Sequence, residues 1–227
     1  MSLELQIAES AEEASRIVAE LLAQAARAGA EIALTGGSTP RRAYELAAEL
    51  APDWSRASVW WGDERCVPPE DERSNFRLAR ETLLVRLAEA PRAVHRIQGE
   101  LEPERAAGAY ERELEPVTLD LVLLGLGSDG HVASLFPNAP SLEEREHLVV
   151  AAPAQLEPFV DRVTLTLPAL CAGRQVVFIV TEEEKADAVE RAFAGPADAG
   201  RPASLVRSNE GRTLAVLDRA AARRLNG

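Results

Sequence analysis

Asp129 and His131 stand two residues apart in Gly125-Leu126-Gly127-Ser128-Asp129-Gly130-His131. A carboxylate beside an imidazole suits general acid–base chemistry, one group moving the proton and the other orienting it. An imidazole changes charge near neutrality, so it can take a proton from water and return it to a departing alkoxide. Ser134 lies outside any Gly-x-Ser-x-Gly elbow, which favours attack by water over attack by a serine. A second group, Gly36-Gly37-Ser38-Thr39 before Pro40, could hold an anion, because glycines let backbone amides approach closely and a helix N-terminus adds donors and a favourable dipole. A plain turn capped by Ser38 or Thr39 accounts for the same residues. Their spacing fits neither a Walker loop nor a dinucleotide fingerprint. A third group, Asp63-Glu64-Arg65, supplies two carboxylates and a planar guanidinium fork suited to phosphate or carboxylate. Taken alone, the triplet is as simply a solvated charged turn.

Each group follows a segment that reads as a buried strand. Leu121 to Leu124 is four apolar residues in a row, as in a parallel strand covered on both faces, and ligands of open α/β sheets bind beyond the carboxyl ends of such strands. Strands are likewise expected at Leu3 to Ile7, Glu31 to Thr35, Ser58 to Trp61, Val163 to Leu167, Val176 to Val180 and Leu214 to Val216. Helices are expected between them. The first opens on a capping box at Ser10 to Glu13 and stops at Gly29; others span Pro40 to Leu50, Asn75 to Leu87, Pro103 to Glu115, Glu183 to Phe193 and Asp218 to Leu225. This alternation predicts an α/β fold, a mostly parallel open sheet with helices on both faces. No internal repeat or convincing linker interrupts residues 1–227, the short stretch Gly195 to Pro202 being the nearest candidate, so one domain is expected.

The net charge of −12 argues against nucleic acid or an anionic membrane as partner. An anionic small molecule remains compatible with it, since exposed charges beyond a Debye length of roughly 8 Å are largely screened. Cys66 and Cys171 lie far apart, the start Met1-Ser2-Leu3-Glu4 carries no leader pattern, and no apolar run could span a bilayer. These features predict a cytoplasmic protein without a structural disulfide, a monomer or small homo-oligomer. Thiol catalysis is the less favoured chemistry. His95 sits in an apolar–polar alternation and reads as a strand residue, and His147 in an acidic surface run.

Taken together, Gly-Gly-Ser-Thr-Pro at 36–40, Trp-Gly-Asp-Glu-Arg at 61–65 with Ser74-Asn75, and the run from Gly125 to Pro137 resemble the 6-phosphogluconolactonases. These belong to the superfamily of sugar-phosphate isomerases and deaminases. The likeness continues through Arg162 to Pro168, Glu183 to Ala186, Pro202 to Val206 and Asp218 to Ala221, nearly the whole chain. It implies a doubly wound, Rossmann-like fold and hydrolysis of 6-phospho-D-glucono-1,5-lactone without cofactor or metal. His131, Asp129 and Asp63 are the implied catalytic groups. Gly36, Gly37, Ser38 and Thr39 with Arg162 and Lys185 are the implied phosphate holders, and Arg65 is assigned to the lactone end or the phosphate. Val132, Ser128 and Glu182 depart from the pattern, Glu182 standing where a glycine is usual before the Glu-Glu-Lys run. Two other readings share the fold. An aminosugar-phosphate deaminase would carry Ala-Phe-Asn-Glu-Pro after the Gly-His pair, where this chain has Ala-Ser-Leu-Phe-Pro; intact Asp129 and His131 argue against a non-enzymatic sensor.

Overall fold

The computed structural model describes residues 3–155 and 159–225. β1 (Leu3–Ala8) leads into α1 (Ala11–Ala28), then β2 (Glu31–Leu34), α2 (Arg41–Leu50), β3 (Ser58–Trp61), β4 (Asp63–Arg65) and α3 (Asn75–Thr82). β5 (Ala93–Val94), α4 (Pro103–Leu114), β6 (Leu121–Leu124), β7 (Val149–Ala152) and β8 (Arg162–Leu165) follow. α5 (Leu167–Ala172), β9 (Gln175–Val180), α6 (Ala186–Phe193), β10 (Arg212–Asp218) and α7 (Arg219–Ala222) complete the order.

Seven strands form one sheet in the order β1-β10-β9-β6-β2-β3-β5, every pairing parallel. From β2 the chain winds outward through β3 and β5, and from β6 it winds the other way through β9 and β10. The reversal falls between β2 and β6, where the loops from two neighbouring strands diverge and leave a crevice. Ile32 to Leu34 of β2 and Leu121 to Leu124 of β6 are apolar and buried. Among the described residues no helix is long and apolar enough to cross a membrane.

Local chemistry explains the ends of these elements. The Ser10 hydroxyl accepts from the Glu13 N–H while the Glu13 carboxylate accepts from Glu9 N–H, and Gly29 ends α1 at φ 81°. α3 starts on the Ser74 side chain but ends at Thr82, with only a 3-10 turn at Leu84–Arg86 beyond it, short of the expected continuous helix to Leu87. At its end the Thr82 hydroxyl back-bonds to the Leu78 carbonyl and Leu83 leaves helical geometry. The terminal helix also ends early, at Ala222 rather than Leu225.

The expected strand Val163 to Leu167 is corrected in two respects. It ends at Leu165, and it belongs to a separate antiparallel sheet, β4-β8-β7. Its four residues, Arg162 and Thr164 as well as Val163 and Leu165, are all buried, as in a strand of the main sheet. Beyond it, Pro168 sits in the first turn of α5 and cannot extend a ladder. The pairing sets Asp63 opposite Thr164 and Arg65 opposite Arg162.

Candidate active site

The loops after β2, β4 and β6 and the turn after β9 enclose a cavity of about 210 Å³. Gly36, Gly37, Ser38, Thr39, Asp63, Arg65, His131, Arg162 and Lys185 all line it, and Asp129 stands immediately behind His131. Neither Ser38 nor Thr39 caps α2 with its side chain; Pro40 occupies the cap position and the Arg41 N–H reaches the Ser38 carbonyl. Contrary to the capped-turn account, their hydroxyls are therefore not committed to the helix.

His131 is positioned by its own loop. Its Nδ1 lies 2.6 Å from Asp129 Oδ1, which also accepts from the His131 N–H at 3.1 Å. The Gly127 N–H closes the loop on the His131 carbonyl, and Gly130 takes φ 94°, a conformation open to glycine. A Cβ on Gly127 would meet His131 Nδ1 at 2.0 Å, so the imidazole rests where only a glycine leaves room. Phe136 packs against the ring at 5.2 Å between centroids. With Nδ1–H donated to Asp129, Nε2 is the nitrogen left to accept a proton in the cavity. Burial works against the charge of Asp129, yet the hydrogen bond and charge of His131 outweigh it and hold the carboxyl below its ordinary value.

Asp63 is differently engaged. Ser134 donates its hydroxyl to Oδ2 at 2.6 Å, and Asn75 donates Nδ2 to Oδ1 at 3.1 Å and to the Asp63 carbonyl at 2.9 Å. Asn75 in turn accepts from Arg65 Nη1, which also reaches the Arg73 carbonyl. The Ser134 N–H donates to Thr164 Oγ1 on β8. One carboxylate thus clasps β4, the start of α3 and the His131 loop, and both its oxygens are occupied. Glu64 fixes the same corner: its carboxylate accepts from the backbone N–H of Arg65, Asn75 and Phe76 and from the Ser74 hydroxyl. Burial pushes its carboxyl up and those donors pull it part of the way back.

Arg65, Arg162 and Lys185 line the cavity together with Gly36–Thr39. Burial lowers the pKa of Arg162, and the neighbouring charge of Arg65 lowers it further, with Asp63 acting the other way. Two guanidiniums opposite one another on paired strands are mutually repulsive, and an anion between them relieves it.

Asn75 and Ser134 stand in the motifs without an assigned role, yet both hold Asp63 in place. Their signal was a polar side chain among neighbours that bury: Asn75 is 1% exposed and Ser134 0%. His95 follows β5 and stacks on Trp60 at 3.8 Å, paired with Glu113; His147 is exposed beside Glu111. Neither lines the cavity, nor does either free cysteine, and burial pushes the Cys66 thiol up to about 11.

Residues 6–215 match the family described as glucosamine-6-phosphate isomerases/6-phosphogluconolactonase. The chain belongs to that family. Among relatives of the glucosamine-6-phosphate isomerase/6-phosphogluconolactonase family, a 6-phosphogluconolactonase of Streptomyces coelicolor is 38% identical, the match covering 93% of this chain and 88% of the relative. The human 6-phosphogluconolactonase is 37% identical over 97% of this chain and 93% of its own length. A crystal structure of a devB protein superposes with a TM-score of 0.89 at 31% identity, covering 99% of this chain and all of the other.

Proposed function

We propose that this chain hydrolyses 6-phospho-D-glucono-1,5-lactone to 6-phosphogluconate. The observation that carries the reading is the His131–Asp129 pair at a small cavity that Gly36–Thr39, Arg162 and Lys185 also line. In this reading those amides and cations hold the substrate's phosphate, and the lactone carbonyl lies at His131. His131 Nε2 takes a proton from water as the water oxygen attacks C1, and Asp129 holds the imidazolium. The oxyanion collapses, the C1 to ring-oxygen bond breaks, and the imidazolium returns its proton to the ring oxygen, leaving a carboxylic acid that ionises. No redox partner is required at any step. Asp63 acts through position, keeping Asn75, Arg65 and the His131 loop in place. The reading places the reaction in the cytoplasm.

The test is acid release from fresh lactone, corrected for spontaneous hydrolysis, beside ammonia release from glucosamine-6-phosphate. Acid release without ammonia supports the lactonase; ammonia release overturns it. His131→Ala should lower kcat by about 10²- to 10⁴-fold, the usual contribution of a positioned base, and a loss below threefold removes His131 from the mechanism.

A further inference from the structure

Glu182 is a glutamate in a backbone conformation suited to glycine. Its φ is 82° and its ψ 143°, a region that a residue with a Cβ enters only at a cost. The surroundings impose this conformation on whatever residue is there. The Asp218 carboxylate accepts from the Glu182 N–H with both oxygens, at 3.2 and 3.1 Å, and the Glu182 carbonyl accepts from the Lys185 N–H at 3.1 Å. A glycine would make the same two backbone interactions without the strain. The turn geometry therefore explains the φ and leaves the side chain unexplained.

Glu182 lines the catalytic cavity, as do Glu184 and Lys185 on the same turn, and both glutamates are exposed. Among the described residues the Glu182 carboxylate pairs with no cation. An exposed, unpaired negative charge thus lines the same cavity as the cations assigned to the phosphate. It cannot assist an anion's binding; it opposes it, with a strength that solvent and salt reduce because the residue is exposed.

We propose that Glu182 is an affinity-lowering residue, a negative charge on the turn that carries Lys185, which weakens the hold on substrate and product alike and hastens product release. The inference rests on the lactonase reading and adds to it a determinant of affinity. The product carries one more negative charge than the lactone, and tight retention of it by Arg65, Arg162 and Lys185 would slow turnover; Glu182 offsets that retention.

Two variants separate charge from strain. Glu182→Gln removes the charge and keeps the strained Cβ; Glu182→Gly removes both. Titration of each with inorganic phosphate, followed by KM for the lactone and inhibition by 6-phosphogluconate, reads the charge. Both variants should bind phosphate and product about three- to tenfold more tightly than the parent, with KM falling in step. The gain should shrink as salt is raised, which relief of strain would not cause. Only Glu182→Gly should melt at a higher temperature. Phosphate and product affinities within twofold of the parent in Glu182→Gln overturn the proposal, and so does a gain confined to Glu182→Gly. Failure of the lactonase reading looks different: the parent protein itself would not hydrolyse the lactone.

Discussion

Gly36→Ala offers the sharpest test of the clasp around Asp63. A Cβ at residue 36 would sit 1.8 Å from Asn75 Oδ1 and 2.3 Å from its Cγ, distances no small adjustment relieves. Gly36 does not have positive φ, so the penalty is one of contact alone. Asn75 is buried and must leave its place, breaking its bonds to the Asp63 carbonyl and carboxylate and the one it accepts from Arg65. A buried polar group left unpaired costs about 1–3 kcal/mol, and more when charged; with some relaxation the whole displacement comes to about 3–5 kcal/mol, a large share of an ordinary domain's stability. Urea unfolding of Gly36→Ala, Asn75→Ala and the double variant reads this directly. Asn75→Ala removes the atoms that clash, so the double variant should be about as stable as Asn75→Ala alone, with a coupling close to the full cost of Gly36→Ala. A Gly36→Ala variant that unfolds within about 1 kcal/mol of the parent, or two single costs that simply add, refutes the clash.

Three further outcomes follow from the geometry. Gly127→Ala should displace the imidazole, since its Cβ would lie 2.0 Å from His131 Nδ1 and 2.6 Å from Asp129 Oδ1; kcat should fall at least about tenfold with inorganic phosphate binding retained, and unchanged kcat contradicts it. Arg162→Ala should raise KM by about ten- to a hundredfold, the worth of one charge-assisted contact of roughly 1.5–3 kcal/mol, and should weaken phosphate inhibition equally; steady-state kinetics with and without phosphate decide. Asp129 titrates below its ordinary value in the folded protein, so the fold favours its ionised form: its stabilising contribution is full above that ordinary value, near pH 4, and is lost as pH falls through the lower folded value. Unfolding midpoints from pH 7 to 3 should show the parent losing its advantage over Asp129→Asn only in the acid range, and a constant gap refutes the assignment.

The central strand and the loops beyond it were legible because their physics is local. Leu121 to Leu124 is apolar on both faces, and the glycines at 36, 37, 125, 127 and 130 mark where the backbone must turn. The residues that line the cavity were found through ordered motifs, although nothing local in Arg162 or Lys185 says that they meet Gly37. The antiparallel partnership of β8 was not legible, because a strand buried on both faces has the same composition in either sheet. Asn75 and Ser134 were missed for a related reason. Their importance lies in Asp63, distant in sequence from Ser134, and only the folded chain brings the hydroxyl to 2.6 Å from the carboxylate. Glu182 was noticed as a departure from glycine, but its positive φ depends on the Asp218 carboxylate reaching across from the end of β10.

The pairing of β4 with β8 bears on how the molecule is made. Arg65 lies in the first third of the chain and Arg162 well into the last half, yet they face one another across two strands. During synthesis, β2, β3 and β4 leave the ribosome long before β8 exists, so the growing chain holds a glycine loop and one arginine without the second. Bringing the strands together requires closing a long loop, an entropic cost that chain collapse must offset before like charges are pressed together. An amino-terminal fragment ending before β8 should therefore have little affinity for phosphate, however well its own strands form. On the proposed reading of the site, ligand is a reporter of completed folding: inorganic phosphate should speed no early step of refolding and should slow unfolding, because Arg65 and Arg162 come together only when the second sheet closes.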